Sequence, residues 1–302
     1  AIAQDYPNRP IRLMMPNAPG SSIDTIGRIF AVRLGEALGQ QIVIENRAGA
    51  AGAIGIELAK NAAPDGYTLL FASASGMSIA PLLQKKIPYD PVNDFAFVSL
   101  VAVMPNILVV TPSLPVATVK ELIDYARANR GRVNMASAGP GAASHLGGVL
   151  LMVMGDFDSL HVPYKDGGPS VASVVAGESH WTVVPAPAAM SLVKAGRLRA
   201  VAHTLPERAP LFGDLPTIAE TVPGYDYSGW AGLLAPKGTP ASILDKVHAA
   251  LVKTVGLPAV KDGFAAQGAE AVSSSPEAFR EFLQRDIANT AKVIKAAGLQ
   301  AE

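Results

Sequence analysis

Cysteine is absent from all 302 residues. That excludes a thiol nucleophile, a disulfide frame and a Cys-ligated metal; it suits an oxidising compartment, where a stray thiol is a liability. Net charge is absent as well, because 25 Lys and Arg balance 25 Asp and Glu. With no Lys-rich or Arg-rich tract, no nucleic acid and no anionic membrane surface is expected as a partner. The apolar run Leu146 to Met154 is far shorter than the roughly 20 residues a transmembrane helix needs, so no membrane insertion is expected. His and carboxylate residues are too scattered for a metal site. Gly139-x-Gly141-x-x-Ser144 lacks the third glycine of a dinucleotide fingerprint, and no phosphate-loop lysine follows either glycine loop. No cofactor is expected.

What is present points to a well-packed α/β protein. Hydrophobic residues make up 49% and charged residues 17%, enough to bury large cores and no sign of disorder. The length favours two lobes of roughly 100 to 200 residues. The start, Ala1-Ile2-Ala3-Gln4, has the small-x-small pattern that signal peptidase reads, which predicts export through a cleaved signal peptide.

Along the chain, Ile11 to Met15 reads as a buried strand, broken by Pro16-Asn17-Ala18-Pro19-Gly20. Ser21 or Ser22 can cap the next helix, with Asp24 in its first turn. Ile26, Ile29, Phe30, Leu34 and Leu38 recur at helical spacing, Gly39 ends the helix, and Gln41 to Glu45 is the next strand. Strand, helix and strand in this order predict a βαβ unit and a parallel sheet. Further strands are predicted over 67–72, 107–111, 132–136, 180–184 and 229–235, further apolar elements over 158–162, 171–176, 190–195 and 200–203, and the chain after Pro240 is mostly helical.

One internal echo stands out. Ala18-Pro19-Gly20-Ser21-Ser22 and Gly139-Pro140-Gly141-Ala142-Ala143 each follow a strand, turn on proline and glycine, and open a helix on two small residues. Such a turn exposes the free N–H groups of a first helical turn beside the positive end of its dipole, a natural anion cradle. The bland alternative is that Gly and Pro only punctuate βα turns; the pairing of two such loops favours function. Ser75 and Gly76 sit in a third loop at a strand's carboxyl end, where open α/β sheets bind ligands.

Six segments carry a family resemblance: Tyr6-Pro7-Asn8-Arg9-Pro10-Ile11, Pro64-Asp65-Gly66-Tyr67-Thr68-Leu69-Leu70, Pro88-Tyr89-Asp90-Pro91-Val92-Asn93-Asp94-Phe95, His161-Val162-Pro163-Tyr164-Lys165, Lys194-Ala195-Gly196-Arg197-Leu198-Arg199-Ala200 and Gly232-Leu233-Leu234-Ala235-Pro236. In this order the chain resembles the Bug, or TctC-like, substrate-binding receptors of tripartite tricarboxylate transporters. The resemblance implies a type II periplasmic-binding-protein fold, α/β, with two parallel-sheet lobes joined by two crossover strands near 107–111 and 228–235. The lobes are then 1–106 with 229–302, and 107–228. It also implies a periplasmic, monomeric solute receptor, not an enzyme, that hands a small carboxylate to a two-subunit membrane permease.

Carried onto this sequence, the ligand-binding residues are Asn17, Ala18, Pro19, Gly20, Ser21 and Ser22 in the first loop and Ser75 and Gly76 in the third. The second loop contributes Ser137, Ala138, Gly139, Ala142, Ala143 and His145, and the strand at 180–184 contributes Val184 and Pro185. Departures from the family pattern are informative. Asn17 stands where Phe is usual and Ser21 where a second Gly is usual, while Ala142 and Ala143 replace hydroxyl residues. Val184 replaces a usual pocket-side Asp. These changes predict an apolar ligand body, an aromatic mono- or dicarboxylate such as terephthalate, with poor binding of aspartate. His145 directly follows Ser144, but neighbours at i and i+1 do not face each other on a helix and no G-x-S-x-G elbow is present. It reads as a histidine bonding its own loop. Trp181 reads as core, and Trp230 as packing at the second crossover. Two other classes stay open: a sensory binding protein signalling to a membrane kinase, and a nucleotide-dependent α/β enzyme.

Overall fold

A computed structural model describes residues 6–301. The signal-peptidase pattern at Ala1-Ile2-Ala3-Gln4 lies outside the described residues. The chain opens with β1 (Ile11–Met15), α1 (Ser22–Leu38), β2 (Ile42–Asn46), α2 (Ala53–Lys60) and β3 (Thr68–Ser73). A π-helical turn over Ser75–Ile79 leads into α3 (Ala80–Leu83) and then β4 (Phe95–Met104). Next come β5 (Asn106–Val110), α4 (Val119–Ala128), β6 (Asn134–Ser137), α5 (Ala143–Met154), β7 (Leu160–Pro163), α6 (Gly167–Ala176), β8 (Trp181–Pro185), α7 (Ala186–Lys194) and β9 (Arg199–His203). The chain ends with β10 (Gly229–Pro236), α8 (Ala241–Gly256), α9 (Pro258–Ala266), β11 (Glu270–Ala271) and α10 (Pro276–Ala296).

These elements form two compact units, one of residues 6–103, 230–291 and 301, the other of residues 104–229 and 292–300. The last stretch differs from the sequence-based division, which gave all of 229–302 to the first lobe: α10 starts in the first unit and its final turn clusters with the second.

The first unit is built on a six-stranded sheet, β11-β4-β10-β3-β1-β2, and the second on a five-stranded sheet, β7-β6-β8-β5-β9. Neither sheet is all-parallel, which corrects the expectation above. β1 runs parallel to β2 and β3, but β10 pairs antiparallel with β3 and β11 with β4. In the second sheet β6 is parallel to β7 and β8, while β5 is antiparallel to β8 and β9. The βαβ units supply the parallel strands; β5 and β10, which lie at the first two changes of unit, enter their sheets in the opposite sense. The sequence reading also missed β4, whose near-continuous apolar run, Phe95-Ala-Phe-Val-Ser-Leu-Val-Ala-Val-Met, has no period to tell strand from buried helix.

Why the first βαβ forms is plain from burial. Leu13, Met14 and Met15 are all buried, the mark of a strand covered on both faces. α1 turns Ile26, Phe30, Leu34 and Leu38 inward at intervals of four. Gly27 lets the helix approach the sheet, since a Cβ there would lie 2.4 Å from Met15 Cε. Gly39, at φ 69°, ends the helix in the left-handed conformation and returns its N–H to Gly35 and Glu36 carbonyls. Among the described residues no helix is long and apolar enough to cross a membrane.

Candidate functional site

In the first unit, the parallel strands β1, β2 and β3 deliver their carboxyl ends, Met15, Asn46 and Ser73, to one edge of the sheet. The 16–24 loop leaves β1 there and opens α1. Ser21 is the N-cap, and its Oγ accepts from Asp24 N–H at 3.2 Å. Asp24 is buried, and one of its oxygens accepts from Gly20 N–H at 2.8 Å and Arg28 Nε at 2.8 Å. The other accepts from Asn46 Nδ2 at 2.8 Å, and the same amide group donates to the Asn17 carbonyl at 3.0 Å. Burial alone would raise the Asp24 carboxyl. The bonds from Arg28, Gly20 and Asn46, with the Arg28 charge, outweigh it and hold the group at about 2.

This bracing decides which groups are left for a ligand. Gly20 N–H is taken by Asp24, and the Ser21 oxygen accepts the cap bond but keeps its own proton. The amides of Ser22 and Ile23 have no partner among the described residues, and the Ser22 side chain is exposed. Ala18, Pro19 and Gly20 are exposed beside them. Asn17 is half-buried, and its Oδ1 is buried with no hydrogen-bond partner. Of the two serines, Ser22 is the exposed one, while half-buried Ser21 keeps its hydroxyl proton to donate beside the cap bond. Ser21→Ala is therefore expected to cost about 1 kcal/mol of stability through the lost cap, whereas Ser22→Ala stays within about 0.5 kcal/mol. Urea denaturation of the pair measures the difference.

In the second unit, β6, β7 and β8 end together at Ser137, Pro163 and Pro185. The 137–145 loop leaves β6 and opens α5. Its N-cap is Ala142, which has no side-chain acceptor; the first-turn amides of Ala143, Ser144 and His145 are without partners among the described residues. The loop is held from within. Ala138 N–H donates to Ser144 Oγ at 2.9 Å, Gly139 N–H to Ser137 Oγ at 3.1 Å and Gly141 N–H to His145 Nδ1 at 3.1 Å. Ser137 Oγ also meets His161 Nε2 at 2.6 Å. Burial, with His161 alongside, pushes the His145 imidazole down to about 4, and burial lowers His161 as well.

The sequence-predicted residues thus fall into two groups. Ala18, Pro19, Gly20, Ser22, Ser75, Ala143 and Pro185 are exposed, and Asn17, Ser21, Ala138 and Ala142 half-buried. Ser137, Gly139 and His145 are buried braces of their own loop. Gly76 is buried, its carbonyl accepting from Tyr89 Oη at 2.5 Å, and a Cβ on it would lie 2.4 Å from Ile56 Cδ1. Val184 is 1% exposed, paired with Ile107 inside the sheet, so its side chain presents no surface. Trp181 and Trp230 are both fully buried. Sequence reasoning passed over the braces Asn46 and Arg28; the Ser21-x-x-Asp24 spacing, close to a capping box, was the available signal for Asp24.

Two units of mixed α/β sheet, each with a helix-opening loop of free amides at the carboxyl ends of its parallel strands, define the type II periplasmic-binding-protein fold of solute receptors. Within that class, the family model described as "Tripartite tricarboxylate transporter family receptor", TctC, matches residues 26–299. The chain belongs to that family. BugT of Bordetella pertussis is 35% identical over 98% of this chain and 91% of its own length. An R. palustris protein solved with adipate is 34% identical, with TM-score 0.77 over 99% of this chain and 100% of that one. MatC from Rhodopseudomonas palustris, solved with bound malate, is 29% identical, with TM-score 0.72 over 96% of this chain and 100% of that one.

Proposed function

We propose that this chain is a periplasmic receptor that captures a small dicarboxylate with an apolar middle and passes it to a two-subunit membrane permease, without chemistry on the ligand. The observation that carries the reading is the pair of helix-opening loops. Each leaves first-turn amides unpartnered at the positive end of a helix dipole, where a carboxylate gains charge-assisted hydrogen bonds. Relatives solved with adipate and with malate support a carboxylate as the ligand class.

The apolar middle follows from what surrounds the free amides. Ala18, Pro19, Ala142, Ala143 and Pro185 bring no side-chain polar atom, and Ser22 and Ser75 are the exposed hydroxyls. Such surroundings desolvate a methylene chain or an aromatic ring without penalty but leave an ammonium unpaired. An aromatic dicarboxylate of the terephthalate kind fits this description, as does adipate. Ligand and closed state are linked by mass action: a ligand that engages both loops stabilises closure by its differential affinity for that state.

Calorimetric titration tests the reading. Terephthalate and adipate are expected to bind at least about tenfold more tightly than malate, and aspartate more weakly still, since an unpaired polar group costs about 1–3 kcal/mol. Tight aspartate binding with no response to terephthalate or adipate would overturn it.

A further inference from the structure

The second unit carries a concavity of about 420 Å³ along α5, which the carboxylate cradle does not use. His145 and His161 form one wall, their rings stacked with centroids 4.0 Å apart. Each ring commits one nitrogen to the 137–145 loop. Because His145 Nδ1 accepts from Gly141 N–H, its ring proton sits on Nε2. Ser137 Oγ accepts from Gly139 N–H, contacts the Gly139 carbonyl at 3.4 Å and meets His161 Nε2 at 2.6 Å. Among the described residues, His145 Nε2–H and His161 Nδ1 have no hydrogen-bond partner.

Other donors share the space. Ser159 Oγ accepts from the Trp181 indole N–H at 3.0 Å, which frees its own proton, and the Arg130 guanidinium lines the same concavity. Three donors, from His145, Ser159 and the cationic Arg130, suit a carboxylate. Asp156 and Asp158, both exposed, add acceptors suited to an ammonium. The rest of the lining is apolar, through Val149, Met152, Val153 and Phe157. Val153 is 56% exposed, and Met154 and Leu160 beside the concavity are 37% and 59% exposed. Large hydrophobics left open to this degree mark a place where something apolar binds.

We propose that this concavity is a second binding site, for a small zwitterion with an apolar side chain of the α-amino acid kind. The carboxylate meets the His145 N–H, Ser159 and Arg130, the ammonium meets Asp156 or Asp158, and the side chain lies over Val149 and Phe157. His145 joins this site to the 137–145 loop, because its Nδ1 is bonded to the loop while its Nε2–H is left for the ligand, so occupancy is felt at the loop that opens α5.

The test follows the ring N–H resonances of isotope-labelled histidines by NMR in the full chain at neutral pH, with L-leucine as the probe. Its matched carboxylic acid and matched amine, each lacking one charge, are the controls. Leucine is expected to shift both His145 and His161 saturably, with each control about fivefold weaker. Arg130→Ala and Asp158→Asn are each expected to weaken leucine by about fivefold. Val153→Trp fills the concavity and is expected to abolish the response, while terephthalate or adipate binding in calorimetry persists. No saturable shift with leucine, or a shift that survives Val153→Trp, overturns the proposal. The second outcome would place leucine at the cradle itself and leave the receptor reading intact.

Discussion

Replacing Trp230 with alanine is expected to cost about 4 kcal/mol of stability. Trp230 is the second residue of β10 and is fully buried in the first unit. Its indole meets Phe279 and Phe282 edge-on, with centroids 5.6 and 5.7 Å away, and it shares a core with Phe97, Leu234 and Leu283. Removing the ring loses its transfer free energy and leaves a cavity that a close-packed core closes only in part. A polar cost adds to it. The indole N–H donates to Asp286 Oδ2 at 2.8 Å, and Ser78 Oγ donates to the same oxygen at 2.5 Å. Burial already raises the Asp286 carboxyl, with Ser78, Trp230 and Arg285 opposing; losing the indole donor pushes it higher. Trp230→Phe separates the contributions, since it keeps most of the ring and loses only the N–H, for about 1–2 kcal/mol. For Trp230→Ala, the thermal midpoint should drop by on the order of 10 °C. A drop of only a degree or two would show that the ring does not hold this core together.

The sequence made the frame of the site readable, because its signals are local. β1 ends at a Pro-Gly turn, Ser21 stands where a cap belongs, and the Ile26, Phe30, Leu34 spacing fixes the buried face of α1. The same holds for the loop between β6 and α5. What stayed hidden depends on contacts between distant segments. Asn46 lies 22 residues from Asp24 and reaches it only because β2 pairs beside β1 in register Met15↔Asn46. His161 stacks on His145 only because β7 pairs parallel with β6, Met135 opposite His161. Of the two serines able to cap α1, the fold selects Ser21, whose oxygen accepts from Asp24 N–H. Val184 read as a pocket residue from its position in a family pattern, yet its pairing with Ile107 buries it. Side-chain direction along a short strand is set by register, and a single-residue difference in register reverses it.

Asp24→Asn is expected to cost about 2–3 kcal/mol at pH 7 and to flatten the acid limb of the stability curve. The carboxyl is 2% exposed and sits at about 2 in the folded chain, against an ordinary 3.8. A folded value below the unfolded one means that the folded state holds the proton less tightly. Its stabilisation is therefore complete above the unfolded value and is lost as pH falls from about 4 towards 2. The difference corresponds to about 2 kcal/mol. Asparagine keeps the shape but not the charge. Its amide oxygen can accept one of the donors from Gly20, Arg28 and Asn46, while its NH2 faces donors where an acceptor stood. Paired urea titrations at pH 7 and pH 2 measure the effect: the gap between wild type and Asp24→Asn should be wide at pH 7 and mostly closed at pH 2. A gap independent of pH would mean that packing, and not the charge, accounts for the loss. Because Gly20 N–H and the Asn17 carbonyl are tied through Asp24 and Asn46, the substitution also loosens the loop that presents Ser22 and Ile23. Ligand affinity should fall with it, even in the fully folded fraction, because a loop that must be ordered on binding gives up part of its binding free energy to that ordering.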